Sequence, residues 1–216
     1  MTPPADSARQ QIMRAAAHQF ANRSYSLVSL DDILREAEVT KGAMYFHFRS
    51  KHALALALID TQSAIMRNTI NDLLANKLSG LETLIDICFN LAMQEVTEDL
   101  AKSSLHLLEA IGRTEDMQTK RLAEWVAGFS EITRRAAEEG DLLDTADPAD
   151  VSRLFVAMYA GIRQVSDLEN CEEYLRHIER AWLQVMPGVV RADRLDYFAQ
   201  FVHRRTAVAI RTVNRC

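Results

Sequence analysis

Glycine and proline are scarce in this 216-residue chain, at 7 Gly and 4 Pro. The prolines are Pro3, Pro4, Pro148 and Pro187, so nothing stands to break a helix between Ala5 and Asp147. That predicts an all-α chain. Cysteine is scarce as well: Cys88, Cys171 and Cys216 are an odd set without CxxC or Cys/His ligand spacing, which excludes a disulfide framework and a zinc site and fits a reducing compartment. The longest apolar run, Leu154 to Ile162, is about half of what a membrane span needs. MTPPADSARQQ lacks the basic start and apolar stretch of a secretory signal. A cytoplasmic protein is expected, with no membrane partner, no metal and no cofactor.

Catalytic strings are missing too: no GxSxG, P-loop or HExxH occurs. Asp31, Asp32 and Glu36 superficially match the acidic metal-binding motif of prenyl-diphosphate enzymes, but Arg35 interrupts them and no second acidic motif follows at a suitable position. His106 and Glu109 stand one helical turn apart, yet a single pair has too few partners to hold a metal. The chain is not expected to be an enzyme.

What is present is ordinary globular material, 48% apolar and 25% charged. The length suits a small module on a larger body, with a boundary expected near residue 52, giving domains 1–52 and 53–216. The formal charge of -5 conceals a split of +2 over residues 1–52, -11 over 53–190 and +4 over 191–216. An acidic middle repels polyanions and the head, which also carries His18, His47 and His52, tolerates them. The same charges are compatible with solvated helix faces.

Ile12, Ala15, Ala16, Phe20 and Ala21 recur at helical spacing and lapse after Asn22. Ser29 followed by Asp32 is a capping arrangement that opens a second short helix to about Ala37. Thr40 then caps a third of about two turns, and two short helices across so tight a link make a helix-turn-helix. Ser50 caps a long helix to about Asn76. Five or six further helices are expected, nine or ten in all: a three-helix N-terminal head and a C-terminal helical bundle. One of them ends at Gly140, the next starts at Asp147-Pro148, and a hairpin closes at Pro187-Gly188. Ala157, Ala160 and Gly161 add a small-residue face to the hairpin's first helix, so residues 148–186 are the expected homodimer interface; ordinary intrachain core is the alternative. The arginines from Arg204 to Arg215 suit either a packed last helix or a basic tail for a protein or membrane surface.

The segment LDDILREAEVTKGAMYFHFRSKHALALALI, and the chain from Ala8 to about Gln62, resembles the DNA-binding head of the tetracycline-repressor (TetR) family of bacterial transcription regulators. The resemblance implies a cytoplasmic, nucleoid-associated homodimer that binds a palindromic operator in double-stranded DNA, most simply as a repressor. It carries Ser29, Thr40, Lys41, Gly42, Ala43, Tyr45, His47 and Lys51 over as DNA contacts. Their chemistry fits: Gly42 permits close approach, Ala43 and Tyr45 suit base edges or thymine methyls, Lys41 suits bases or phosphates, and Ser29, Tyr45, His47 and Lys51 suit phosphates. Each also has a structural explanation, as a cap, a helix start or head packing. Phe46 and Phe48 are expected in the head core. Glu38 departs from the family's glycine in the turn, and a left-handed backbone there would cost about 1 kcal/mol.

KGAMYFHFRSKHALALALIDTQ together with a later Trp is most similar to the γ-butyrolactone-receptor branch of that family. This second resemblance implies a small-molecule ligand pocket with Trp125 over a small ring and Gln62 as a polar contact. Phe89, Phe129 and Met158 are further pocket candidates by periodicity, and core packing explains each equally well. Ile162 stands where the branch often has Thr, so the ligand is either a γ-butyrolactone-like signal or an unrelated hydrophobic compound that controls a transport or catabolic gene.

Overall fold

A computed structural model describes residues 7–112 and 117–215. Among them the chain is all-α, with ten α-helices: α1 (Ala8–Asn22), α2 (Leu30–Ala37), α3 (Lys41–His47), α4 (Lys51–Leu74), α5 (Gly80–Thr97), α6 (Asp99–Ile111), α7 (Met117–Glu138), α8 (Pro148–Val165), α9 (Cys171–Val185) and α10 (Leu195–Val213). A single 3-10 turn, Met186–Gly188, follows α9, and an isolated antiparallel bridge joins Leu142 to Val190. No helix among the described residues is long and apolar enough to cross a membrane.

Two compact units form, Met1–Arg67 with Glu98–Gln118, and Asn68–Thr97 with Thr119–Cys216. They are not coextensive with the expected domains 1–52 and 53–216, because α6 packs with the head. The reason is α1: Ile12, Ala15, Ala16 and Phe20 make a buried stripe, and the small alanines let Leu107 and Ile111 of α6 close on it. His106 Nδ1 meets the Phe20 carbonyl at 3.3 Å, and Ser104 Oγ donates to the Leu58 carbonyl at 3.2 Å. His106 is thereby part of the head's packing.

The expected caps are present: Ser29 forms a capping box with Asp32, Thr40 Oγ1 accepts from Ala43 N at 3.2 Å, and Ser50 Oγ accepts from Ala53 N at 3.0 Å. Ser7 adds a capping box with Gln10 at the start of α1. In the second unit Asp147 Oδ1 accepts from Ala149 N and Asp150 N ahead of Pro148 at the first helical position. Gly140 follows α7 in the left-handed region, at φ 77°.

The core of the second unit gathers Leu81, Ile85 and Phe89 of α5, Tyr174, Ile178 and Trp182 of α9, and Phe198 and Val202 of α10. Gly80 is required by proximity: a Cβ there would lie 2.5 Å from Ala136 N, so α5 and α7 touch backbone to backbone. Arg204, Arg205 and Arg211 lie inside α10 rather than in a tail beyond it. Arg205 forms an ion pair with the buried Asp86 of α5, and Arg204 stacks over the Phe201 ring. Burial raises the Asp86 pKa and Arg205 opposes that shift.

Candidate nucleic-acid interface and ligand cavity

In the first unit α3 has two unlike faces. Met44 and Phe48 turn inward, whereas Lys41, Gly42, Tyr45 and Phe46 face solvent. Phe46 corrects the expectation of a core residue: it is 84% exposed and stands edge-on to His47, while Phe48 is 5% exposed. Within α3, Phe46 lies about 200° around the axis from the buried Met44 and so faces water, whereas Phe48 follows the helix end in extended backbone, which turns its ring inward. Gly42 has open space around it, with nothing nearer to an added Cβ than Thr40 Oγ1 at 3.9 Å. The fold has no packing need for glycine there.

The other expected DNA contacts divide by how far their polar atoms are already engaged. Lys41 is exposed and makes only a loose ion pair with Asp31 at 3.4 Å. Ser29 Oγ and Ser29 N donate to Asp32 Oδ2 at 2.7 and 3.0 Å, which holds the Asp32 carboxyl down at about 2, and Ser29 Oγ also accepts from Asp32 N. Lys51 points inward: its Nζ donates to the Tyr25 and Val28 carbonyls at 2.8 and 2.9 Å and lies 4.2 Å from the centre of the Tyr25 ring. It secures the loop before α2, which competes with the phosphate contact expected of it. Glu38 between α2 and α3 is left-handed, at φ 54° and ψ 37°, so the turn takes the family's geometry without the family's glycine.

In the second unit a cavity of about 40 Å³ lies between α5, α7, α8 and α9. Trp125, Phe129 and Met158 of the candidate pocket residues line it. Phe89 does not: it is fully enclosed in the core, on the side of α5 away from the lining residues Ile87, Cys88 and Leu91. Gln62 is not part of the lining either; it belongs to the α4 stretch of the first unit, and its Oε1 is buried without a hydrogen-bond partner. Phe155, Tyr159 and Trp182 are lining residues that sequence reasoning did not assign to the pocket. Periodicity marked Phe155 and Trp182 as apolar positions, but could not separate a cavity wall from a core. Burial pushes the Cys88 thiol up to about 12, which keeps it neutral and unreactive.

Behind this wall lies a buried polar cluster. Glu95 of α5 pairs with Arg163 of α8 and accepts from the hydroxyls of Tyr159 and Tyr174, each at 3.1 Å. Burial, followed by the neighbouring ionisable groups, raises the pKa of both tyrosines, so they remain donors. On the outer side of α8, Leu154, Ala157, Gly161 and Val165 form an exposed stripe of apolar and small residues, with Val165 83% exposed.

An outward-facing recognition helix on a capped three-helix head, with a separate helical unit that carries a cavity, defines a helix-turn-helix transcription regulator. Residues 12–58 match the model for bacterial regulatory proteins of the tetR family. The A-factor receptor protein of Streptomyces griseus is 27% identical over 184 residues, 83% of this chain. The match spans 63% of that receptor's length. A γ-butyrolactone receptor (ArpA-like protein) of known structure is 27% identical, with a TM-score of 0.79 over 93% of this chain and 96% of that one. CprB from Streptomyces coelicolor, in complex with its biological operator sequence, is 26% identical, with a TM-score of 0.78 over 92% of this chain and 96% of that one. These matches support a TetR-family transcription regulator near the γ-butyrolactone-receptor branch, and the relatives are regulators, not enzymes.

Proposed function

We propose that the chain is a homodimeric repressor that holds a palindromic operator and releases it when a small apolar ligand enters the second unit. The observation that carries the DNA half is the outer face of α3, where Gly42, Tyr45 and Phe46 are exposed and Gly42 has no packing role. A helix that leaves glycine and large aromatics in water is suited to another surface. CprB in complex with its operator supports the same use here. Each α3 enters a major groove with Lys41, Ala43 and Tyr45 toward base edges and Thr40, His47 and Ser29 near phosphates; Lys51 holds the preceding loop.

The exposed α8 stripe supports dimerisation through α8 and α9, about residues 148–186, since a monomer leaves Leu154 and Val165 in water. The cavity supports a ligand, but at about 40 Å³ it is smaller than a lactone or aromatic ring, so binding requires a more open state of the second unit. A ligand that favours that state shifts the population away from the operator-bound form. Ile162 is half-buried and is not among the residues that line the cavity, so the ligand is read as a γ-butyrolactone-like signal, with an unrelated hydrophobic compound acting on a transport or catabolic gene as the alternative.

Gel shifts and footprinting on a palindromic site from the chain's own promoter region test this function. Symmetric protection is expected, with a complex of two chains, and Tyr45→Ala with Lys41→Ala is expected to remove specific binding. Intact binding in that double variant would show that α3 is not the reading helix.

A further inference from the structure

Two neighbouring carboxylates open α2 and are used differently. Asp32 serves the head itself: it accepts from Ser29 N and Oγ and stands beside Arg23 and Arg35. Asp31 makes no capping bond among the described residues, and its side chain is 69% exposed. Its ion pair is with Lys41, Oδ1 to Nζ at 3.4 Å, and so reaches from α2 to the first residue of α3. An acid in the first turn also favours the positive end of a helix, but Asp32 already supplies that charge to α2.

Lys41 faces solvent on α3, so Asp31 puts a negative charge beside whatever Lys41 touches on DNA. An ammonium has three donors and can hold the Asp31 carboxylate and a DNA acceptor at once. The two kinds of acceptor then fare differently. A phosphate oxygen is charged and is repelled by the carboxylate that shares its lysine, whereas guanine O6 and N7 are neutral and are not. For groups this exposed to water, that repulsion is worth about threefold in affinity. Binding to unrelated DNA rests almost wholly on phosphates, while operator binding adds contacts to bases.

We propose that Asp31 is a positioning residue for sequence specificity: paired with Lys41, it disfavours phosphate contacts by that lysine and spares its base contacts, so it weakens binding to unrelated DNA more than binding to the operator. This rests on α3 as the reading helix and adds a residue of α2 that sets the margin between the operator and other DNA.

The test is fluorescence anisotropy of the full chain on two duplexes of equal length, the footprinted palindrome and an unrelated sequence, over a series of salt concentrations. Asp31→Asn is expected to bind the unrelated duplex about threefold more tightly, with its slope of log Kd against log salt steeper by about 0.9, because one more phosphate contact forms. Operator Kd is expected to change by less than about twofold, so the ratio between the two duplexes falls. Asp31→Glu keeps the charge and is expected to match the wild-type ratio. In a Lys41→Gln background, Asp31→Asn is expected to lose most of its effect on the unrelated duplex, since no lysine contact remains for the carboxylate to disfavour. A purely structural role for Asp31 would move neither the salt slope nor the ratio.

Equal tightening on both duplexes, no change on either, an effect as large without Lys41, or Asp31→Glu behaving as Asp31→Asn would each overturn the assignment. The wild-type chain separates the two possible failures. If it binds no palindrome better than the unrelated duplex, the DNA-reading function falls and the role of Asp31 with it. If it prefers the palindrome and Asp31→Asn keeps the full preference, only the role of Asp31 falls.

Discussion

On α3 the polar and aromatic side chains come from consecutive residues and face water, whereas around Glu95 the polar groups converge from α5, α8 and α9 and are shut away from it. The first arrangement costs the fold little, because each exposed group keeps its hydration. The second is stable only while every member has its partner, since a buried ion or hydroxyl without one has lost water for nothing. A surface built for an outside partner is therefore free to change sequence without loss of the fold, and an interior polar cluster is not.

The sharpest way to break that contrast is Glu95→Ala. It removes the ion-pair partner of Arg163 and the acceptor of two buried tyrosine hydroxyls, and urea unfolding is expected to show a loss of about 3–5 kcal/mol. A loss below about 1 kcal/mol would mean that the cluster is hydrated, and the contrast would disappear.

Gly42→Leu tests the opposite side. With open space around Gly42, and with leucine the better helix former, thermal stability is expected to hold or rise slightly, while operator affinity falls on the order of a hundredfold because the added side chain keeps α3 off the groove floor. Unchanged affinity in gel shifts would remove the reason for glycine at this position.

Smaller effects come from the head's local geometry. Glu38→Gly relieves a left-handed backbone and is expected to stabilise the chain by about 1 kcal/mol in urea titration, with no gain if the turn re-forms differently. The smallest effect concerns acid. The Asp32 carboxyl is held at about 2, chiefly by its bonds to Ser29 and next by Arg23 and Arg35, below its ordinary value of 3.8. A depressed carboxylate pKa contributes stability that is fully present above the ordinary value and is lost as pH falls through about 2. Acid unfolding followed by circular dichroism is expected to steepen between those two pH values, and Asp32→Asn is expected to flatten that stretch.

The head was largely legible because its signals are short-range. Ser29, Thr40 and Ser50 announce helix starts within three residues of themselves, and KGAMYFH presents its exposed groups in one short run. Phe46 was misread because two neighbouring aromatics both look like core until the rotation of the helix is known. The cavity was only half legible. Trp125 follows from the resemblance and Phe129 and Met158 from helical spacing, but the same spacing cannot tell the last two from Phe89, which the packing of α5 puts in the core instead.

The amino-acid order alone determined the helices, their caps and the family of the head, because capping bonds and helix-breaking residues act within about one turn of the chain. Tertiary structure decided which unit α6 joins, that Lys51 serves the carbonyls of Tyr25 and Val28, and that Glu95 meets residues 64 to 79 positions away in the chain. Contacts at such separations depend on how the helices close on one another, which no local signal in the chain reports.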